Sequence, residues 1–407
     1  MAPFGRRRLG RHLLIAAGLL LAVCAFVVAR NWGTFATMYA NVTAMNEGRQ
    51  VAEEMRHPDD LLAYLSAHPD RASLVAYEVG ARADGIFYRS DVRRPVVNTP
   101  HLLLLAEYAR QVERGHLAPD RRVSLDSLGV YALPGAGLST HRKARAHWRT
   151  ENRLRPDSTV ALRHAVGAIS RFGDQAAADW FMTALGRPAV QSLPDRWGLT
   201  SSDPPLPGSG VYLSWITSAP SESGGSKRRD RSTPRTAYTE HAYRLASRLR
   251  RDSSFRARMR RRLRRRGSGL SLPDQRSLAE RTYPKGTAAD YADLLARTLS
   301  GRLGADTVSA FVRHHLESPV ESDSLDGAIT AVGTDGGALP GVISFVGYVR
   351  YADDRPPRVA ALFLEGLPIG LFYHLLQTSL DKGLLLRVLG DPDFARKAEQ
   401  QLSRSAL

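Results

Sequence analysis

Apolar and polar positions alternate near the beginning and near the end of the chain, and they follow a helical period between these two parts. Residues 72–91 alternate around Gly80 and a turn at residues 83–85, a pattern that is typical of a β-hairpin. Residues 99–114 then carry apolar side chains at helical spacing behind an extended entry. This part of the chain therefore predicts two strands followed by a helix.

The middle of the chain is predicted to be mainly helical. Helical periodicity recurs in four segments, at residues 158–170, 175–186, 240–266 and 286–304. Gly186 is the expected C-cap of the second segment, and Thr287 is the expected N-cap of the fourth. Two intervening stretches, residues 120–158 and 187–236, are polar or rich in Pro, Ser and Gly and predict surface loops.

Three strand candidates and a helix follow, at residues 327–333, 341–353, 358–368 and 371–389. Strands at both ends with helices between them predict an α+β fold. We expect a five-stranded antiparallel sheet built from both ends of the domain, flanked by helices, with an inserted all-helical subdomain.

Residues 13–29 form an apolar run before this domain. At ~1.5 Å per residue the run would be about 26 Å long as a helix, which is enough to cross a bilayer core. Four arginines precede it (Arg6, Arg7, Arg8 and Arg11), so the N-terminus is expected in the cytoplasm and the domain on the periplasmic side. The alternative is a cleaved signal peptide.

These patterns give the following predicted organisation. The segments are a basic cytoplasmic N-terminus (1–12), a transmembrane anchor (13–29), a juxtamembrane helical linker (30–54), the folded domain (55–395) and a C-terminal tail (396–407). Within the domain, the helical subdomain spans about residues 99–315 and includes a loop (200–238) and an Arg-rich helix (240–266).

The formal net charge of +17 is concentrated in two places. Residues 244–266 carry 12 Arg against Asp252, a net +11, and the N-terminus carries +4, which leaves +2 for everything else. The expected partners of the Arg-rich helix are anionic lipid, a cell-wall polymer or an acidic protein, through Arg258, Arg260, Arg261, Arg262, Arg264, Arg265 and Arg266. The alternative is a solvated, salt-paired face. No nucleic acid is expected, because the anchor places this helix outside the cytoplasm.

Several kinds of catalytic site are not predicted. The sequence has one cysteine, no His-Glu-x-x-His pattern and no phosphate-binding glycine loop, so neither a metal nor a cofactor is expected. It also has no Gly-x-Ser-x-Gly elbow. A Ser-x-x-Lys match at Ser379 and Lys382 lies on the C-terminal helix, far from a helix start.

Three segments in order resemble the serine β-lactamase and penicillin-binding-protein family, specifically the class A-like serine hydrolases. They are "RRPVVNTPHLLLLAEYARQVERGHLAPDRRVSL" (93–125), "GAISRFGDQAAADWFMTALG" (167–186) and "AVGTDGGALPGVISFVGYVRYADDRPPRVAALFLEGL" (331–367). They correspond to the family's segments with Ser-x-x-Lys, Ser-x-Asn and Lys-[Ser/Thr]-Gly. The resemblance covers roughly residues 55–390 and implies the fold predicted above.

The motif-equivalent positions depart from the family's catalytic residues. The resemblance places the nucleophile at Asn98, its lysine at His101, the Ser-x-Asn motif at Gly173 and Gln175, and the third motif at Asp335, Gly336 and Gly337. An amide is not an acyl nucleophile in water. Aspartate in place of lysine is also expected to repel a substrate carboxylate by roughly 4 kcal/mol.

We therefore expect a catalytically inactive member of this fold that binds or scaffolds at the cell envelope. One alternative is an active hydrolase of β-lactams or peptide-like amides with an unconventional nucleophile, for which Thr99 is the candidate. Another is a module that acts through its Arg-rich helix.

Overall fold

The computed structural model describes residue 30 and residues 32–218, 235–318 and 329–404. The predicted anchor at residues 13–29 lies outside these ranges. Among the helices within them, none combines the length and the apolar character that a membrane crossing requires.

The chain enters the domain through three helices, α1 (Trp32–Asn46), α2 (Arg49–Glu54) and α3 (Pro58–Ala67). Within the predicted linker, Trp32–Asn46 and Arg49–Glu54 are helical, and they are also part of the folded unit. A Cβ at Gly48 would lie 2.6 Å from Pro368 Cβ, so the corner between α1 and α2 packs directly on the C-terminal part of the domain.

Strands from both ends of the domain form the main sheet, as predicted. Its members are β1 (Ala72–Glu78), β2 (Ala81–Tyr88), β7 (Glu317–Ser318), β8 (Ile329–Leu339), β9 (Val342–Tyr351) and β10 (Arg358–Leu364). The order is β2-β1-β10-β9-β8-β7, and every neighbouring pair is antiparallel. The five predicted strands are therefore present, with a two-residue strand added at one edge. The hairpin turns at Gly80 rather than at residues 83–85, which lie within β2.

The sheet separates two apolar cores. Val75, Tyr77 and Phe363 face a large core made with the helical subdomain, whereas Leu74 and Leu362 face the C-terminal helices. Because both faces are covered, the central strands are apolar at nearly every position.

The helical subdomain lies between β2 and β7. Its elements are β3 (Arg94–Pro95), α4 (His101–Glu113), β4 (Arg122–Ser124), α5 (Leu125–Gly129), α6 (Leu138–Thr150), β5 (Thr159–Ala161), α7 (Leu162–Arg171), α8 (Gln175–Leu185), α9 (Arg187–Gln191), α10 (Leu193–Arg196), α11 (Gly208–Ser218), α12 (Arg235–Arg251), α13 (Ser253–Arg266), α14 (Leu272–Thr282), β6 (Lys285–Gly286), α15 (Ala288–Leu299) and α16 (Asp306–Leu316). Short pairs join β3 to β6 and β4 to β5.

Both predicted loops in this region were partly wrong. Residues 120–158 contain α5 and α6, and α6 is mostly polar because it buries only His141, Ala144 and Trp148. Residues 187–236 contain α9, α10 and α11. Helix α11 crosses α12 so closely that a Cβ at Gly210 would lie 2.1 Å from the carbonyl oxygen of Ala242.

The Arg-rich segment is two helices rather than one. Asp252 has an extended backbone (φ −113°, ψ 94°) and accepts a hydrogen bond from Phe255 N, so it ends α12 and caps α13. An aspartate between two runs of arginine therefore acts as an N-cap.

The helix predicted at residues 371–389 is likewise divided, into α17 (Ile369–Thr378) and α18 (Leu380–Gly390), and a further helix, α19 (Pro392–Arg404), follows it. The first break is at Ser379, which adopts a left-handed backbone conformation with φ 56°. The predicted tail boundary at residue 396 falls inside α19. This helix buries Phe394, Ala398 and Leu402 against the sheet's second core, so it belongs to the domain.

Candidate functional site

The segment before α4 is fixed to strand β9. Val97 N donates a hydrogen bond to Ser344 Oγ at 2.9 Å, and the Thr99 hydroxyl donates to the same oxygen at 2.9 Å. Ser344 is fully buried and lies opposite Gly337 in the register of β8 and β9. These bonds place Asn98, between Val97 and Thr99, at the edge of β8.

The three motif segments meet around Asn98. Its Nδ2 donates to the carbonyl oxygen of Gly336 at 3.4 Å. A Cβ at Gly337 would lie 2.9 Å from Asn98 Cγ, and a Cβ at Gly173 would lie 3.2 Å from Asn98 Nδ2. We call these four residues (Asn98, Gly173, Gly336 and Gly337) the junction. The amide occupies the space that side chains at positions 173 and 337 would need.

Thr99, the candidate for a shifted nucleophile, is turned away from the junction. Its side chain is fully buried, and its hydroxyl is bonded to Ser344. The next position with a titratable group is His101, the first residue of α4, whose backbone N–H donates to the carbonyl oxygen of Asn98 at 2.7 Å.

His101 is a neutral imidazole. It is 3% exposed, and burial lowers its pKa to about 4. Its Nδ1 has no hydrogen-bond partner among the described residues. A neutral, buried imidazole can accept a proton, but none of the four junction residues has a hydroxyl for it to activate.

Asp335 is buried at the sheet edge beside the junction. One carboxyl oxygen, Oδ1, accepts a hydrogen bond from Gly336 N at 2.8 Å, and the other lacks a partner within the described ranges. Burial raises its pKa to about 8. The carboxyl is therefore mostly protonated at pH 7. The sequence-based expectation of charge repulsion was wrong, because it assumed a solvated carboxylate. Compared with the lysine that the resemblance places here, Asp335 offers no positive charge to a substrate carboxylate. It also carries less than a full negative charge at pH 7.

The polar side chains of the second motif segment form hydrogen bonds with other residues of the domain. Gly173 has φ 62°, which a residue with a side chain would adopt only with strain. Asp174 caps α8 by accepting from Ala176 N and Ala177 N, and its other oxygen accepts from His141 Nδ1 at 2.9 Å. Neither carboxyl oxygen is free to serve the junction.

Gln175 is held beside α11 by Asp179, a buried residue of α8 that the sequence analysis did not single out. Gln175 Nε2 donates to Asp179 Oδ1 at 2.8 Å. The same carboxyl accepts from Gly208 N and Ser209 N, each at 2.8 Å, so it caps the N-terminus of α11. Burial raises the pKa of Asp179 to about 6, against the effect of these donors. A Cβ at Gly208 would lie 2.3 Å from Gln175 Cδ, which leaves room only for glycine.

The junction lacks the groups for acyl transfer. Among its four residues only Asn98 has a side chain, an amide, and the carboxyl of the adjacent Asp335 is buried with its pKa raised to about 8. Ser344 was missed by the sequence analysis, although a serine in the apolar strand "VISFVGY" was a possible signal. Its hydroxyl is buried and already bonded to Val97 and Thr99.

The predicted arginines lie apart from the junction, on α13. Among the seven, Arg260 is partly buried and donates to the carbonyl oxygens of Val130 and Ala132. Arg262 donates to the carbonyl oxygen of Ile216, at 3.4 Å. Arg264 lies on the same face as Arg260, four residues on. All of the seven except Arg260 are exposed.

Within the described ranges, no group of three or more His, Cys, Asp or Glu side chains is arranged to hold a metal ion.

No protein-family model matches the chain, and no curated protein is significantly similar to it. Solved structures are similar in fold. A β-lactamase from Sphaerobacter thermophilus DSM 20745 matches 81% of this chain and 96% of its own, with 17% identity and a TM-score of 0.50. The structure of L2 complexed with relebactam matches 83% and 97%, with 16% identity and a TM-score of 0.50. An ancestral class A β-lactamase matches 81% and 98%, with 15% identity and a TM-score of 0.47. The chain therefore has the fold of the β-lactamase-like serine hydrolases.

Proposed function

We propose that this chain is a single-pass membrane protein whose β-lactamase-fold domain binds or scaffolds at the extracytoplasmic face of the membrane. In this proposal the domain carries out no acyl-enzyme chemistry. Catalytic inactivity, anchoring and scaffolding are inferences from the residues described above.

The observation that carries the proposal is the position of the Asn98 amide. The resemblance assigns a nucleophilic serine to this position, and the structure brings the other two motif segments to within van der Waals distance of it. An amide nitrogen with a delocalised lone pair does not attack an acyl group in water. The buried imidazole of His101 cannot change this, because it has no alcohol or thiol at the junction to deprotonate.

Two features support the membrane part of the proposal. The first is the apolar run at residues 13–29 with its preceding arginines. The second is α1, which follows this run. Of the eight large apolar side chains that are exposed within the described ranges, six belong to α1: Trp32, Phe35, Met38, Tyr39, Val42 and Met45. Such a surface is suited to lie at a membrane interface.

Intact-mass analysis tests the inactivity directly. The full-length chain, purified in detergent, is incubated with a fluorescent penicillin, and its mass is compared with that of the untreated chain. We expect no added mass in the native chain or in the Thr99→Ala variant. A covalent adduct on the domain that disappears in Thr99→Ala would overturn the proposal in favour of an active enzyme with Thr99 as nucleophile.

An adduct that persists in Thr99→Ala would also contradict the proposal, and peptide mapping would then identify the acylated residue. The matched control is Thr140→Ala, which removes a partly buried threonine hydroxyl in α6, away from the junction. Its behaviour should equal that of the native chain in every outcome.

A further inference from the structure

A second concave site lies between helices α6 and α13, away from the junction. Helix α5 and the turn that follows it form the rest of the wall, and the cavity has a volume of about 480 Å³. This volume is within the range of small-molecule binding sites. The site shares Arg260 and Arg264 with the arginine set that the sequence predicted, and it adds residues of α5 and α6 that the sequence did not indicate.

Five arginines line this cavity: Arg142, Arg145, Arg256, Arg260 and Arg264. Three of them are spaced by four residues along α13, which places them on one face of that helix. The other two are on α6 and face them across the cavity. One acidic side chain, Asp126, lines the same cavity, so the positive charge is not balanced by the cavity's own walls.

Only some of these arginines donate hydrogen bonds to acceptors within the protein. Arg260 donates to main-chain carbonyl oxygens of the turn after α5, and Arg256 Nη1 donates to the carbonyl oxygen of Leu249 at 2.5 Å. Within the described ranges, no hydrogen bond or ion pair is recorded for the side chains of Arg142, Arg145 and Arg264. Burial, together with the charges of Arg256 and Arg264, lowers the pKa of Arg260.

His141 supplies an independent indication of a ligand. This residue lines the cavity, yet it is only 2% exposed. Its Nδ1 is bonded at 2.9 Å to Asp174, which is fully buried. Its other ring nitrogen, Nε2, has no hydrogen-bond partner among the described residues. Nε2 is therefore a buried polar atom at the wall of the cavity that a bound ligand would satisfy.

We propose that this cavity binds a phosphate-bearing ligand of small-molecule size, held by the guanidinium groups of Arg142, Arg145 and Arg264 and by His141 Nε2. Guanidinium groups match the geometry of phosphate oxygens and form charge-assisted hydrogen bonds with them. A phosphate group carries more negative charge than a carboxylate, and so it balances several arginines at once. The ligand is either a soluble phosphorylated compound or the head group of a phospholipid.

Calorimetric titration with inorganic pyrophosphate tests the proposal on the full-length chain in a neutral detergent. We expect saturable binding at low salt that weakens as salt is added. The variant Arg145→Gln/Arg264→Gln removes two exposed guanidinium groups from the cavity, and we expect it to bind at least tenfold more weakly.

The control variant is Arg149→Gln/Arg265→Gln. It removes two exposed arginines from the same two helices, at positions that do not line the cavity. Because the net charge changes equally, its affinity should stay within twofold of the native chain. Equal weakening in both variants, or no saturable binding by the native chain, would overturn the proposal. Equal thermal unfolding midpoints show that the variants are folded.

Competition distinguishes the two sources of phosphate. The titration is repeated in mixed micelles that contain phosphatidylglycerol. If a lipid head group occupies the cavity, the apparent affinity of the native chain for pyrophosphate falls, while that of the cavity variant does not change. If the ligand is soluble, the lipid leaves the native affinity unchanged. The result is independent of the β-lactam experiment, so either proposal can fail alone.

Discussion

The side-chain amide of Asn98 lies against the backbone of Gly337, so that a Cβ at position 337 would be 2.9 Å from Asn98 Cγ. This contact joins the entry to α4 and the edge of β8. Asn98 therefore packs as part of the fold at the position where the resemblance places a reactive group.

The first prediction concerns this contact. We expect Gly337→Ala to lower the free energy of unfolding by about 1–3 kcal/mol, the usual cost of overpacking. In Asn98→Ala/Gly337→Ala part of that loss should be recovered, because the clash with the amide is removed while a 3.0 Å approach to Asn98 N remains.

Urea unfolding of the two single variants and the double variant measures the coupling. A favourable interaction of about 0.5 kcal/mol or more is expected for residues in direct contact. Strictly additive effects would show that Asn98 does not fill the space beside Gly337.

The second prediction concerns Asp335 and pH. Burial raises the pKa of this carboxyl to about 8, so between roughly pH 4 and 8 the folded protein holds a proton that the unfolded chain has released. Through this carboxyl the folded state binds more protons than the unfolded state, so the contribution of Asp335 to the free energy of unfolding falls as pH rises. The limiting slope is about 1.4 kcal/mol per pH unit for one proton.

Unfolding is measured at pH 6.5, 7.25 and 8 for the native protein and for Asp335→Asn, because buried groups such as His101, whose pKa falls to about 4, and Asp179, whose pKa is about 6, contribute equally to both proteins. The free energy of unfolding should fall more steeply with pH in the native protein than in the variant, since an amide cannot lose the proton. An unchanged slope would mean that Asp335 is not the group that titrates in this window.

The third prediction concerns Asp179, whose carboxyl caps α11. In the Asp179→Ala variant the N–H groups of Gly208 and Ser209 lose their acceptors inside the protein. We expect a loss of about 2–4 kcal/mol in the free energy of unfolding, as for a buried hydrogen-bonded carboxylate. Asp179→Asn keeps one acceptor oxygen and should cost clearly less. If both variants unfold at the same urea concentration, the carboxyl's role as a cap is refuted.

Alternation and periodicity in the sequence were enough to predict the sheet and its closure by both ends of the chain. They failed where a helix buries few apolar residues. Helix α6 packs through only three buried side chains, so its sequence resembles a solvated loop. They also failed at Asp252, because whether an aspartate caps a new helix depends on backbone geometry that the charge pattern does not determine.

The structure brings Asn98, Gly173, Gly336 and Gly337, four of the positions that the resemblance named, into contact. The resemblance could not give the protonation state or the burial of the residues around them. Whether Asp335 is charged depends on its burial, which arises from the packing of the helical subdomain against the sheet. The bond between His141 and Asp174 joins residues 33 positions apart on different helices, and no local pattern encodes it.

The last prediction concerns the exposed apolar surface of α1. A single cysteine at position 39, introduced as Tyr39→Cys in a Cys24→Ser background, provides a labelling site on this surface, where the native side chain is 74% exposed. We expect a nitrobenzoxadiazole label there to show blue-shifted fluorescence in lipid nanodiscs and to be quenched by nitroxide-labelled lipid. The physical reason is that apolar side chains at a helix surface partition into the membrane interface. Gln50→Cys in the same background is the control, since Gln50 is exposed and polar on the neighbouring helix α2, and its label should remain in water. Equal quenching at both positions, or none at position 39, would show that the α1 surface does not contact lipid.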